Sequence, residues 1–101
     1  MVWERAQIIA SLTGKGFELE RDGDHDVLTF KATGLTRAIF TKLSRGKKYR
    51  VYGRPLLSDM SHQLKLTRRQ LDALVECPMQ QPEYESVLRA QGLLREPAAP
   101  S

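Results

Sequence analysis

FELERDGDHDVLTF, residues 17–30, is the most informative stretch of the chain, because two alternating runs meet there across a glycine. In the first run Phe17, Leu19 and Arg21 alternate with two glutamates, and in the second, over about 25–32, apolar and polar side chains alternate again. A period of two is typical of β-strands with one buried face. The Asp-Gly-Asp between the runs is typical of a tight turn. The stretch therefore predicts a β-hairpin.

Regular patterns continue on both sides of this hairpin. Downstream, Thr33 and Gly34 predict a second tight turn that leads into a third strand over about 35–43. Upstream, apolar residues recur at helical spacing over about 3–13, and glycines follow that can end a helix. One helix followed by three consecutive strands predicts an antiparallel sheet with the helix packed on one face.

The C-terminal half is predicted to be helical. Pro55 lies near the first turn of a helix over about 55–64. Thr67 and Gln70 have the capping-box spacing that begins a second helix, and Pro82 can open a third. The expected fold class is therefore α+β, with an α-β-β-β-α core, a three-stranded antiparallel sheet and additional short C-terminal helices.

Length and composition set the organisation of the chain. The 101 residues predict a single domain over 1–95, with 96–101 as a frayed tail. No apolar run approaches the roughly 20 residues that cross a bilayer, and the N-terminus lacks the pattern of a signal peptide. Cys77 is the single cysteine, so no internal disulfide is expected. These features predict a cytoplasmic protein with no membrane partner.

Charge is distributed unevenly along the chain. The whole sequence has 16 basic and 12 acidic residues, but Val27–Ser58 contains no acid. The eight basic residues of this block are Lys31, Arg37, Lys42, Arg45, Lys47, Lys48, Arg50 and Arg54. The remainder therefore holds 16 − 8 = 8 basic and 12 acidic residues, a net charge of −4. A block of one sign attracts polyanions, which favours nucleic acid as the partner over a merely solvated surface.

The candidate site residues lie in and beside this block. The predicted phosphate contacts are Arg37, Lys42, Arg45, Lys47, Lys48 and Arg50. Tyr49 lies among them and Tyr52 follows Arg50, and these tyrosines either stack on bases or pack against the core. His25 opens the second strand, where it is either a general acid/base or an exposed turn residue. His25 and His62 alone have no metal-ligand spacing, so neither a metal nor another cofactor is expected.

Several of these segments resemble the HicA family of small ribonuclease toxins, whose fold is similar to that of the double-stranded-RNA-binding domain. IIASLTGKGFEL, residues 8–19, resembles the family's first helix and first strand. GDHDVLTF, residues 23–30, lies where the family has a glycine, a small residue, a histidine and an alternating strand, but Asp24 and Asp26 stand where the family often has a small hydroxyl residue and a second histidine. An extended variant of the group is resembled by two further segments, TKLSRGKK at 41–48 and the segment 56–79, which begins LLSDM and ends VECPM.

The resemblance implies a HicA-like core over about 1–60 and a helical extension over about 54–93. It also implies metal-independent cleavage of mRNA, with His25 in the place of the family's functional histidine, and inhibition by a small HicB-like antitoxin. Two alternatives remain open from the residues themselves. The first is a non-catalytic RNA-binding module. The second is a helix-turn-helix DNA-binding regulator with Arg68 and Arg69 at the start of its recognition helix.

Overall fold

The computed structural model describes residues 3–44, 51–76 and 78–95. In chain order its elements are β1 (Trp3–Glu4), α1 (Arg5–Thr13), β2 (Phe17–Asp22), β3 (His25–Phe30), β4 (Phe40–Ser44), β5 (Val51–Tyr52), α2 (Arg54–Gln63), α3 (Arg68–Glu76) and α4 (Gln81–Ala90). Strands β2, β3 and β4 form an antiparallel sheet in that order, and β1 pairs with β5 in a separate antiparallel ribbon. The predicted α+β class with a three-stranded antiparallel sheet is confirmed.

A two-residue turn closes the β2–β3 hairpin. Its first central residue, Gly23, has a φ of +63°, a conformation that glycine adopts without steric cost. Glycine at this position is typical of a type II′ hairpin turn. The turn places Asp22 opposite His25, and the register continues to Phe17 opposite Phe30. Because a slip of one residue would exchange the two faces of the strand, this turn determines which side chains face the core.

The burial of β3 confirms the predicted alternation. Its inward residues Asp26, Leu28 and Phe30 are buried, and its outward residues are His25, Val27 and Thr29. On β2, by contrast, Phe17 is buried and the following five residues are exposed. The helical layer therefore covers β3 and β4 but reaches only the start of β2.

The connection between β3 and β4 differs from the prediction. Instead of a tight turn at Thr33 and Gly34, a longer loop precedes β4, which begins at Phe40. Leu35 in this loop forms a β-bridge with Leu94, and backbone hydrogen bonds of 2.9 Å lie on either side of it. The C-terminal segment thus supplies hydrogen-bond partners that a local reading of the sequence could not include.

The N-terminus also departs from the predicted helix over 3–13. Trp3 pairs with Tyr52 in the β1–β5 ribbon, and the helix begins at Arg5. The Trp3 side chain is buried, and its indole N–H donates to a carboxylate oxygen of Asp72 at 2.9 Å. A buried indole needs such an acceptor. This long-range contact therefore outweighs the local helical pattern at residue 3.

The three later helices begin as predicted. A proline lies in the first turn of both α2 and α4, namely Pro55 and Pro82. At α3 the Thr67 N–H donates to the Gln70 side-chain oxygen at 2.9 Å, and the Gln70 N–H donates to the Thr67 hydroxyl at 3.1 Å. These reciprocal bonds form the predicted capping box and satisfy two backbone donors at the start of the helix.

One apolar cluster joins the sheet to the helices within the described residues. Near its centre the rings of Phe17, Phe30 and Tyr84 have centroids 5.0–5.6 Å apart. The Tyr84 hydroxyl donates to the carbonyl of Leu64 at 2.8 Å, and burial raises the pKa of this phenol. Because Tyr84 belongs to α4, the C-terminal helices share their core with the sheet.

Lys15 is a buried cation that the sequence did not reveal as structural. Its ammonium group donates to the carbonyl of Leu74 and, at 2.7 Å, to the carbonyl of Met79. The Ser11 hydroxyl donates to the carbonyl of Val75 at 2.7 Å. The last carbonyls of a helix lack intrahelical donors and carry partial negative charge. The end of α1 therefore caps the C-terminus of α3.

Candidate nucleic-acid interface

The outer face of the sheet, opposite the helices, carries the candidate catalytic histidine. Across the three paired strands, neighbouring side chains on this face form three cross-strand sets. These are Asp22, His25 and Ser44, then Glu20, Val27 and Lys42, then Glu18, Thr29 and Phe40. We call Glu18, Glu20 and Asp22 the acidic row, because they line the β2 edge of this face. We call Phe40, Lys42 and Ser44 the β4 row.

His25 lies in the middle of the first of these cross-strand sets, on the central strand, and is exposed. Its cross-strand neighbours are Asp22 on one side and Ser44 on the other. Asp26 follows His25 in sequence but points to the inner face, where its carboxylate accepts from the Arg5 guanidinium at 3.5 Å. Asp26 is therefore not beside the imidazole, and Asp22 takes that place.

Lys42 is the predicted phosphate-binding residue that lies near His25. It is exposed on the outer face opposite Val27, in the cross-strand set next to that of His25. Four further predicted phosphate contacts, Arg45, Lys47, Lys48 and Arg50, fall outside the described residues. They belong to the segment 45–50, which follows Ser44 in the chain and precedes β5. In the chain, the segment with the highest basic content therefore begins directly after the cross-strand partner of His25.

Arg37 lies apart from this group. It is exposed on the loop before β4, whereas His25 lies opposite the last residue of β4. At about 3.4 Å per residue, the length of β4 separates the two ends by about 14 Å. The structure therefore brings Lys42, but not Arg37, close to His25.

The acidic row restricts how a polyanion can approach His25. Its three carboxylates are exposed, and like charges on an open surface repel phosphate. The sequence placed Glu18 and Glu20 on one face of a strand, but only the register shows that this face also carries His25. A phosphate backbone can therefore reach His25 more favourably from the β4 row than across β2.

Other residues considered from the sequence take structural or surface positions. Tyr52 is buried, and its hydroxyl donates to the carbonyl of Ser44 at 3.4 Å, so it packs against the core and does not present a free ring. His62 is exposed on α2, as expected. Tyr49 and Cys77 lie outside the described residues. Within residues 3–44, 51–76 and 78–95, no group of three or more His, Cys, Asp or Glu side chains could hold a metal ion.

The α2–α3 pair, considered as a helix-turn-helix unit, is tied closely into the core. α3 buries Leu71, Leu74 and Val75, and the guanidinium of Arg68 pairs with Asp72. Burial raises the pKa of Asp72, but hydrogen bonds from Trp3 and Arg68 outweigh it, so this pKa lies below its ordinary value. Arg68 is therefore engaged within α3, at the carboxylate that also accepts from the indole of Trp3.

Comparison with known proteins adds no relative to this description. No protein-family model, curated protein or solved structure matches the chain. None of the described helices α1–α4 has the length and apolar composition needed to cross a membrane.

Proposed function

We propose that this protein is a HicA-like, RNA-binding toxin that cleaves mRNA without a metal ion. The observation that carries the proposal is the pairing of exposed His25 with Ser44, the residue from which the basic segment 45–50 departs. An exposed imidazole thus lies opposite the residue that precedes the basic segment in the chain, and Lys42 lies in the adjacent cross-strand set. This combination suits a phosphodiester substrate, since the cations can hold phosphate while the imidazole moves a proton.

The proposed reaction uses His25 as a general acid/base. The imidazole accepts the proton of a ribose 2′-hydroxyl, and that oxygen bonds to the adjacent phosphorus. The bond from phosphorus to the 5′-oxygen breaks, and the leaving oxygen takes a proton from the imidazolium or from water. The products are a 2′,3′-cyclic phosphate and a 5′-hydroxyl. Lys42 and the lysines and arginines of segment 45–50 stabilise the negative charge that builds on the phosphorane-like state.

The decisive experiment compares RNA cleavage by the wild type and His25→Ala in the presence of a chelator. Cleavage should fall by about 10²- to 10⁴-fold, the usual contribution of a positioned acid/base. His62→Ala is the matched control, because His62 is the other histidine and is exposed on α2. Circular dichroism checks the fold of both variants. Equal cleavage by His25→Ala, or no cleavage of any RNA by the wild type, would reject the catalytic proposal.

A second experiment tests RNA binding separately from catalysis. Each cation that neutralises a phosphate releases counterions, so affinity should fall steeply with salt. Replacing Lys47 and Lys48 together by alanine should weaken binding and flatten the salt dependence. Running the titration with duplex DNA in parallel tests the alternative of a DNA-binding regulator. Unchanged affinity and slope in the double variant would remove segment 45–50 from the interface.

A non-catalytic RNA-binding module is the second candidate. It is favoured by one observation, the carboxylate of Asp22 directly across from His25, which opposes phosphate next to the imidazole. RNA binding without cleavage would support it. In either case the proposed setting is the cytoplasm, and for the toxin the proposed partner is a small HicB-like antitoxin. Growth arrest on expression, relieved by a co-expressed neighbouring gene product, would test that partner.

A further inference from the structure

Phe40 is an aromatic residue that the core does not use. Its side chain is 44% exposed, and the other exposed large apolar residues within the described ranges are aliphatic, namely Leu19 at 40% and Val51 at 46%. The described aromatic residues other than Phe40 are Trp3, Phe17, Phe30, Tyr52 and Tyr84, and all of them are buried. Single exposed apolar residues are common, so the surroundings of Phe40 decide whether it has a role.

Those surroundings belong to the proposed RNA-binding surface. Phe40 and Lys42 lie in the β4 row on the outer face, about 7 Å apart along the strand. The neighbouring residues Ile39 and Thr41 point inward and are buried. An exposed ring therefore continues the surface on which Lys42 and His25 lie, at the end away from His25.

An open depression of about 210 Å³ lies beside the ring, lined by Ala38, Phe40, Gln63 and Lys65. The Thr41 hydroxyl donates to the side-chain oxygen of Gln63, which orients the amide. Its NH₂ group then remains as a donor. Lys65 lies in the α2–α3 turn with a φ of +64°, and the side-chain amide of Gln91 donates to its carbonyl at 2.7 Å. The depression thus combines an aromatic face, an amide donor and a cation on a fixed turn.

We propose that Phe40 stacks on an unpaired base of RNA whose backbone follows the β4 row. In this arrangement the Gln63 amide donates to an acceptor on the edge of the base, and the Lys65 ammonium contacts a flanking phosphate. Base–aromatic stacking contributes about 1–3 kcal/mol per base. The inference rests on the proposed function, because it takes RNA as the ligand. It adds a base-binding residue about 14 Å along β4 from His25.

The test measures binding of a short, labelled, single-stranded RNA of mixed sequence to three variants. Phe40→Leu keeps apolar bulk but loses the aromatic face, so affinity should fall by about 5- to 150-fold. The slope of affinity against salt should stay unchanged, since no charge is removed. Phe40→Trp should bind like the wild type, and RNA should quench its emission. Leu19→Ala is the matched control on the β2 side and should leave affinity unchanged.

The outcomes separate this inference from the proposed function. If the Lys47, Lys48 double variant binds weakly and Phe40→Leu binds like the wild type, stacking is rejected and RNA binding stands. If the wild type binds no RNA, both are rejected. If circular dichroism shows that Phe40→Leu or Phe40→Trp fails to fold, the ring has a structural role and the inference is also rejected.

Discussion

The two edge strands of the same sheet, β2 and β4, have opposite characters. The outer face of β2 carries three carboxylates, whereas that of β4 carries an aromatic ring, a cation and a hydroxyl. On the inner face Leu19 of β2 is 40% exposed, whereas Thr41 and Leu43 of β4 are buried. The helical layer is therefore offset towards β4. The inner side of β4 thus packs against the helices, and its outer side carries the proposed RNA-binding residues.

The difference in side chains between β2 and β4 indicates a different role for each edge of the sheet. Charged side chains on an exposed edge strand protect it from pairing with other chains, and the acidic row of β2 fits that role. The acidic row and the β4 row lie about 10 Å apart, because β3 lies between them and neighbouring strands are about 4.8 Å apart. That distance is close to the Debye length at physiological ionic strength, about 8 Å. A phosphate held over β4 is thus largely screened from the acids on β2.

The largest expected effect compares the support that the helices give to β2 and to its neighbour β3. Leu19 and Leu28 are cross-strand partners on the inner face, but Leu28 is fully buried. Leu28→Ala should lower the free energy of unfolding by about 3 kcal/mol, since it opens a cavity in the core. Leu19→Ala should lower it by less than about 1 kcal/mol. Urea denaturation measures both. Equal losses would show that the helical layer covers β2 as well.

Local patterns in the sequence were enough to predict the sheet order and the later helix starts. Gly23 and the capping box of Thr67 with Gln70 act over a few residues, so their outcome can be read directly. The start of α1 and the length of the β3–β4 loop could not be predicted in this way. Both depend on partners far along the chain, Asp72 for Trp3 and Leu94 for Leu35.

The second prediction compares two aspartates that flank His25 in sequence. Asp26 is buried and paired with Arg5, whose side chain is 28% exposed, whereas Asp24 is exposed in the turn. Asp26→Ala should cost about 2 kcal/mol, below the 3–5 kcal/mol of a fully buried pair because Arg5 keeps contact with water. Asp24→Ala should change stability by no more than about 0.5 kcal/mol. Thermal unfolding tests both. The reverse order would indicate a register shifted by one residue.

The third prediction tests the charge difference between β2 and β4 within one cross-strand set. Glu20 and Lys42 are both cross-strand neighbours of Val27, on opposite sides. Lys42→Glu should weaken RNA binding about tenfold and reduce the salt slope by about 1, as the loss of one phosphate contact predicts. Glu20→Lys should strengthen binding by a smaller factor. If both reversals change affinity by the same factor, the RNA crosses β2 as well as β4.

The candidate site was only partly visible in the sequence. His25 and the basic block stand out in the sequence by residue type. Of that block, Lys42 lies in the cross-strand set next to that of His25. Phe40 gave no sequence signal, because an apolar residue in a predicted strand is expected to be buried. Only the register, which turns Ile39 and Thr41 inward, shows that its ring faces out.

The smallest expected effect concerns the hydrogen bond between Trp3 and Asp72, which we call the Asp72 anchor. Asp72 accepts from the indole of Trp3, and Trp3 pairs with Tyr52 of β5, the strand that follows the basic segment. The hydrogen bonds from Trp3 and Arg68 outweigh burial and hold the pKa of Asp72 below its ordinary value of 3.8. The ionised form is therefore favoured in the folded state. Its stabilisation is complete above the unfolded-state pKa and is lost as pH falls through the lower folded-state pKa.

Asp72→Asn tests this anchor by removing the charge while keeping the shape. At neutral pH the variant should be less stable than the wild type by about 1 kcal/mol, because its amide oxygen can still accept from Trp3 but the charge that pairs with Arg68 is lost. As the pH falls below about 4 the difference should shrink, because the wild-type carboxylate takes up its own proton. Glu76→Gln, an exposed acid on the same helix, is the control and should show no such change. Urea denaturation of the three proteins at several pH values measures the difference. A gap between wild type and Asp72→Asn that stays constant with pH would mean that the charge of Asp72 does not stabilise the fold.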